Sequence, residues 1–398
     1  MKDLSAVLSG RERDGLYRRR RVAESPQSPK MVIDGKSVLS FCSNDYLGLA
    51  NHPAVKQAFV DAAVKYGVGS GAAHLINGHS KAHHALEEEL AAFLGYPRAL
   101  LFSTGYMANL GVAQALVGRK DVVFEDRLNH ASLLDAGLLS GARLIRYRHG
   151  DADDLARRLT EYRHQSPKGE CLVMTDGVFS MDGDIAPLAR LSDVCKNGDA
   201  WLMVDDAHGL GVLGDHGCGS VEYHGLNAGD VPVLMGTLGK AFGTFGAFVA
   251  GDHAFIEYLI QSARTYIYTT AAPPAVAEAA RAALRIVGQE PERREKLRRL
   301  VGRFREGAEQ LGLPVAESVT PIQPIIVGEA AVATELSNRL MDHNILITAI
   351  RPPTVPRGTA RLRITFSANH TEQHVDYLLG VLESCDAAQI IAGGAKLT

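Results

Sequence analysis

The chain has 398 residues, 46% hydrophobic and 22% charged, which is the make-up of an ordinary globular enzyme and more than one hydrophobic core usually fills, so two or more domains are expected. A formal net charge of -3, with one basic cluster at Arg18-Arg19-Arg20-Arg21, offers no electrostatic footprint for nucleic acid or a membrane surface. Five scattered cysteines fit neither a disulfide framework nor a zinc site, and the charged N-terminus lacks the apolar core of a secretion signal, so a reduced, cytoplasmic protein is expected.

Residues 1–50 read as a basic helix followed by a short hairpin over 31–41, the whole packing on the C-terminal unit. Residues 51–285 form the large unit. Within it, apolar runs at 99–103, 121–125, 143–147, 171–175, 201–205, 233–235 and 246–250 alternate with helical patterns at 107–116, 131–139, 152–162 and 187–196. That alternation predicts an α/β fold, a mostly parallel sheet with helices on both faces. Pro273-Pro274 opens a long helix, and an Arg-rich stretch over 292–311 leads into a small α+β unit, 286–398, with strands at 322–327, 345–349 and 361–366 and helices at 331–343 and 371–384.

Ligands of such sheets collect at the carboxyl ends of the strands, and the polar residues of this chain fall there. Asn129 and His130 follow the strand at 121–125, Asp176 and Ser180 follow 171–175, Asp205 and His208 close 201–205, and Lys240 follows 233–235. In Ser103-Thr104-Gly105-Tyr106-Met107-Ala108-Asn109 a strand turns through glycine into a helix, whose first N–H groups, Gly105 and Tyr106 among them, suit a phosphate. One cofactor needs a lysine amine to hold an aldehyde as a Schiff base and a carboxylate to keep a pyridine nitrogen protonated: pyridoxal phosphate (PLP). On that reading Lys240 is the Schiff-base lysine and later the proton-transfer base, and Asp205 is the partner of the ring nitrogen. His130 stacks on the ring, Ser180 and His208 bond its phenolic oxygen, and Thr237 reaches the phosphate.

Three other patterns carry less. Gly209-Leu210-Gly211-Val212-Leu213-Gly214 matches a dinucleotide fingerprint, but turn residues follow it where a helix is required. Gly239-Lys240 lacks the upstream glycine of a phosphate-binding loop. His79 and His83 have helical spacing without an evident third ligand, so no metal is expected and they read as capping or solvent-facing residues.

The segments Ser43-Asn44-Asp45-Tyr46-Leu47-Gly48-Leu49, Gly69-Ser70-Gly71, Gly78-His79-Ser80, His84-Ala85-Leu86-Glu87, Asp126 to Ser132, Gly177 to Asp184, Asp205 to Gly209 and the Lys240 loop together resemble the α-oxoamine synthases of the PLP fold-type I superfamily, over nearly the whole chain. Ala349-Ile350-Arg351-Pro352-Pro353-Thr354-Val355-Pro356 looks like the version found in biotin synthesis, which condenses L-alanine with a pimeloyl thioester on coenzyme A or an acyl carrier protein. The resemblance implies that Arg351 pairs with the amino-acid carboxylate, that Asn44 lies near it, and that Thr354 contacts substrate. Arg18, with Arg19 and Arg20 as alternatives, would contact the acyl substrate. It also implies a homodimer, in which Thr269-Thr270 reaches the partner's phosphate. Asp176 departs from the glutamate that one well-known version of the synthase has at that position. Two other readings stay open: a sister synthase such as glycine C-acetyltransferase, and an aminotransferase of the same fold.

Overall fold

The computed structural model describes residues 2–13 and 16–394. The strands are β1 Lys30–Ile33, β2 Lys36–Ser40, β3 Arg98–Phe102, β4 Val122–Asp126, β5 Arg143–Tyr147, β6 Cys171–Asp176, β7 Trp201–Asp205, β8 Val233–Thr237, β9 Ala247–Gly251, β10 Ile322–Gly328, β11 Ile345–Leu346, β12 Thr348–Ile350 and β13 Ala360–Thr365. Seven of them make one sheet in the order β3-β9-β8-β7-β6-β4-β5. Its strands from β8 to β5 are parallel, and β9 runs antiparallel to both neighbours.

Two-sided burial explains the unbroken apolar strands. Val122, Phe124, Cys171, Val173, Leu202 and Val204 enter the core on one face of this sheet. Val123, Leu172, Met174 and Met203, the residues between them, enter the core on the other. The expected central strands and helices are therefore present, and the helix Pro274–Gln289 covers this unit with Ala-rich contacts to the helices Pro53–Tyr66 and Lys81–Leu94.

The reversal between β8 and β9 positions the chemistry. Its loop carries Lys240, and Gly243 (φ +64°) lies so close to the segment Leu49–Ala50 that a Cβ there would sit 2.2 Å from Ala50 N. Only glycine fits, so the lysine loop is pinned against the Asn44–Ala50 segment.

The small unit holds a β10-β13-β12 sheet, and the N-terminal hairpin joins it through β2 pairing in parallel with β11. Asp34 and Gly35, both at positive φ, form the hairpin turn. Two expectations need correction. The apolar run at 345–349 is not one strand: Ile347 gives its carbonyl to the Ser337 hydroxyl at 2.6 Å, and the chain changes partner from β2 to β13. The N-terminal helix, Leu4–Arg13, ends before the arginine cluster, which lies in exposed irregular chain.

Candidate active site

Asp205 ends the central strand β7 with its carboxylate buried. Oδ2 accepts from Asn109 Nδ2 at 2.8 Å and Oδ1 from the Ala207 N–H at 3.1 Å. Both donors are neutral. Such a buried carboxylate matches the protonated nitrogen of a pyridine ring, from which it would accept a charge-assisted hydrogen bond.

Asn109 starts a chain of bonds that reaches His130. Its Nδ2 also donates to Ser132 Oγ at 2.9 Å, and Ser132 Oγ lies 2.7 Å from His130 Nδ1. The Ser132 N–H donates to the same His130 nitrogen, so Nδ1 is the acceptor and Nε2 carries the hydrogen. His130 caps the helix Ala131–Ser140, and its own N–H donates to Asp176 Oδ2 at 2.7 Å. The shorter carboxylate at 176 thus still orients the His130 loop. Burial, reinforced by the charge of Asp205, holds the Asp176 carboxyl far above its ordinary range, while burial lowers the His130 pKa against the pull of Asp205.

A second chain of bonds runs from Lys240. Its Nζ lies 2.8 Å from His208 Nε2, His208 Nδ1 lies 2.7 Å from the Tyr46 hydroxyl, and that hydroxyl donates to Asn44 Oδ1 at 3.3 Å. The assignment that satisfies every partner has Lys240 donating to Nε2 and the Nδ1 hydrogen donating to Tyr46. Burial, with the charges of Lys240 and Arg363 added, keeps His208 neutral by lowering its pKa well below the usual histidine range. Burial also lowers Lys240, against the opposing charges of Asp205 and Asp176, to about 8. Arg363, on β13, closes the chain: its guanidinium donates to Asn44 Oδ1 at 3.3 Å and, through Nε, to the Ser180 carbonyl at 2.6 Å.

The helix Gly105–Leu116 opens beside this rim. Thr104 caps it, taking the Met107 N–H on its side chain and the Ala108 N–H on its carbonyl, so the N–H groups of Gly105 and Tyr106 precede the first intrahelical bond. The Tyr106 hydroxyl bonds to Asp135. Thr237 Oγ1 donates to the Gly246 carbonyl and accepts from the Gly239 N–H, which places it at the neck of the Lys240 loop.

These residues fit PLP: a buried carboxylate for the ring nitrogen, an amine of lowered pKa for the aldehyde and an open helix start for the phosphate. Sequence reading had missed Asn109, Tyr46 and Arg363. The first two lay inside segments already singled out, and their burial was the absent signal. Arg363 sits in an apolar strand pattern and had no local cue.

Arg18, Arg351 and Thr354 meet elsewhere. They line one cleft of about 550 Å³ together with Tyr17, Arg19 and Arg21, and Lys240 is not among its lining residues.

The aminotransferase class I and II family matches residues 36–382. An 8-amino-7-oxononanoate synthase of Thioalkalivibrio sulfidiphilus is 64% identical, covering 96% of this chain and 97% of its own. A serine palmitoyltransferase from S. paucimobilis, solved with a PLP-myriocin adduct, superimposes with a TM-score of 0.91 at 31% identity over 97% of both chains. An 8-amino-7-oxononanoate synthase from Francisella tularensis superimposes with a TM-score of 0.76 at 33% identity, covering 90% of this chain and 98% of that one. Identity of this order along almost the entire length, on a fold that holds PLP in a solved neighbour, makes the chain a member of the aminotransferase class I and II family and, within it, of the PLP-dependent 8-amino-7-oxononanoate synthases.

Proposed function

We propose that the chain condenses L-alanine with a pimeloyl thioester, carried on coenzyme A or an acyl carrier protein, releasing carbon dioxide and the thiol to give 8-amino-7-oxononanoate for biotin synthesis. The reading places it in the cytoplasm as a homodimer; among the described residues no helix is long and apolar enough to cross a membrane. The observation that carries it is near-full-length identity to the synthases, joined to Lys240 and Asp205 on one rim.

When bound, PLP supplies an electron sink for the charge released at the alanine α-carbon. Asp205 holds a proton on the ring nitrogen and so keeps that sink deep. Lys240 Nζ, with its pKa near 8, takes the α-proton and returns one at the end of the turnover. His208 accepts a hydrogen bond from Nζ and directs its lone pair. His130, with Nδ1 tied to Ser132, presents its ring and Nε2 hydrogen to the reacting groups.

The geometry favours Arg363 over Arg351 for the amino-acid carboxylate. Arg363 stands with Asn44 and Ser180 at the Lys240 rim, whereas Arg351 shares its cleft with Arg18 and Thr354, the position for the acyl donor. Substitution of Arg363 by lysine is expected to raise KM for alanine, and Arg351→Ala to raise KM for the pimeloyl donor with little change for alanine.

The decisive experiment is a mass-spectrometric product assay of alanine, glycine and serine against acetyl and pimeloyl thioesters. Product from alanine with pimeloyl thioester alone supports the reading; preferential product from glycine with acetyl-CoA overturns it. Amino transfer to an added 2-oxo acid without carbon dioxide release would make the protein an aminotransferase.

A further inference from the structure

A group of histidines lies outside the PLP rim. It occupies the stretch from the π-helical turn His74–Gly78 into the helix Lys81–Leu94. Two overlapping triads have their ligand atoms within 4.8 Å of one another: His74, His79 and His83, and His79, His84 and Glu87. The hydrogen bonds choose between them.

His83 has no nitrogen to offer. Its Nδ1 accepts from the Ser80 N–H at 3.0 Å, completing the cap of the helix, and its Nε2 lies 2.7 Å from the Ala272 carbonyl. His74 and His79 face each other through their Nδ1 atoms at 2.9 Å. That contact fixes the His79 ring and turns Nε2 away from His74. Nε2 then points at Glu87 Oε2, 3.8 Å away.

Glu87 is set the same way. Oε1 accepts from the Leu101 N–H at 2.9 Å, which leaves Oε2 aimed at His79. Arg98, the neighbouring cation, is engaged with Glu257 at 3.0 Å. His84, three residues before Glu87 on the same helix face, has an exposed ring whose Nε2 lies 3.4 Å from Glu88. His79, His84, Glu87 and Glu88 all line one cavity of about 280 Å³, whose wall also includes His74 and Tyr266.

We propose that His79, His84 and Glu87 form a site for a divalent transition-metal ion of zinc type, with two imidazole nitrogens and one carboxylate oxygen as ligands. A tetrahedral ion with bonds of about 2.0–2.2 Å needs ligand atoms closer together than they stand here. The exposed His84 ring supplies most of that movement, while His79 and Glu87 move little. The outer contacts suit the assignment: His79 gives its Nδ1 hydrogen to His74, whose ring stacks on Tyr266 at 5.0 Å, and Glu87 keeps its Leu101 bond. The fourth position faces the cavity and takes water. The ion's role is structural, since it ties the turn at 74–78 to the helix that follows. Through the His83 to Ala272 bond, that helix also steadies the chain at 268–273.

The test is calorimetric titration of the PLP-loaded enzyme with Zn(II) alone, alongside thermal unfolding with and without the ion. One ion per chain is expected, with a rise in Tm. His84→Ala, at a side chain 65% exposed and so compatible with folding, and Glu87→Gln should each weaken binding at least tenfold and abolish the rise. His164→Ala, an exposed histidine elsewhere, should leave both unchanged. Absence of saturable binding, or an affinity unaltered in His84→Ala, overturns the proposal. If Glu87→Gln does not fold, His84→Ala alone decides.

Discussion

Lys240 is tuned by two opposing influences: burial drives its pKa down, and the carboxylates of Asp205 and Asp176 push it back up, leaving it at about 8. In the apoenzyme, the rate of PLP capture should therefore rise with pH and level off above about 8, because only the neutral amine attacks the aldehyde. Asp205→Asn removes a charge that stabilises the ammonium form, so the capture midpoint should move below that of the unaltered enzyme. Turnover should nevertheless fall by about a hundredfold or more, since the ring nitrogen loses its partner. Stopped-flow absorbance and steady-state kinetics measure the two effects, and a midpoint that moves upward would contradict the assignment. Tyr46→Phe probes the bonded chain from the other end: it cuts His208 off from Asn44, and kcat should drop about tenfold or more with KM for the pimeloyl donor unchanged. The residues proposed for these roles were legible where chemistry is tied to a strand end, as at Lys240, Asp205 and His208. Asn109 was not, because its value lies in bridging Asp205 and Ser132, and no spacing along the chain encodes that triangle.

At the scale of elements, the Gly177–Asp184 loop is held against the sheet by His149, which follows β5. Its Nδ1 lies 2.9 Å from Asp126 and its Nε2 2.9 Å from Asp184. Burial lowers the His149 pKa, but the bonds to Asp126 and Asp184 and their charges more than reverse this and raise it to about 10. A folded-state pKa above the unfolded value of about 6.5 makes the clamp fully stabilising below pH 6.5 and progressively lost as pH climbs through 10. The difference in unfolding free energy between the unaltered enzyme and His149→Gln should thus be largest near pH 6 and shrink toward pH 10, measured by urea denaturation across that range. A difference that grows with pH would refute the clamp. The large sheet could be foreseen because strands buried on both faces are uniformly apolar. The break between β11 and β12 could not, because an apolar run does not reveal that its middle carbonyl bonds to a serine on a neighbouring helix. Arg363 was hidden for a related reason: it lies on β13, which alternates within an apolar pattern, and its guanidinium finds Ser180 only when the small unit closes on the large one.

For the molecule as a whole, the proposed homodimer has a physical argument of its own. Val68 is 90% exposed, Ile76 78% and Tyr268 71%, with Val64, Leu75 and Phe59 exposed nearby in sequence. The bridge between Ala73 and Thr270 brings the first of these segments beside the second, so exposed apolar side chains of both segments flank Ala73 and Thr269-Thr270 in sequence. Exposed apolar side chains of this kind favour burial against a partner, and a second copy related by a twofold axis would bury them twice. Ile76→Asp would then place two carboxylates in that contact and should weaken dimerisation by at least about tenfold, the cost of a central interface residue. Light scattering over a dilution series measures the dissociation. If Thr269-Thr270 completes the partner's phosphate site, PLP affinity and activity should fall together with the dimer fraction and recover at high protein concentration. Loss of PLP affinity at concentrations where the variant is still fully dimeric would instead locate the defect within the subunit, and an unaltered enzyme that is monomeric and fully active at micromolar concentration would remove the shared site altogether.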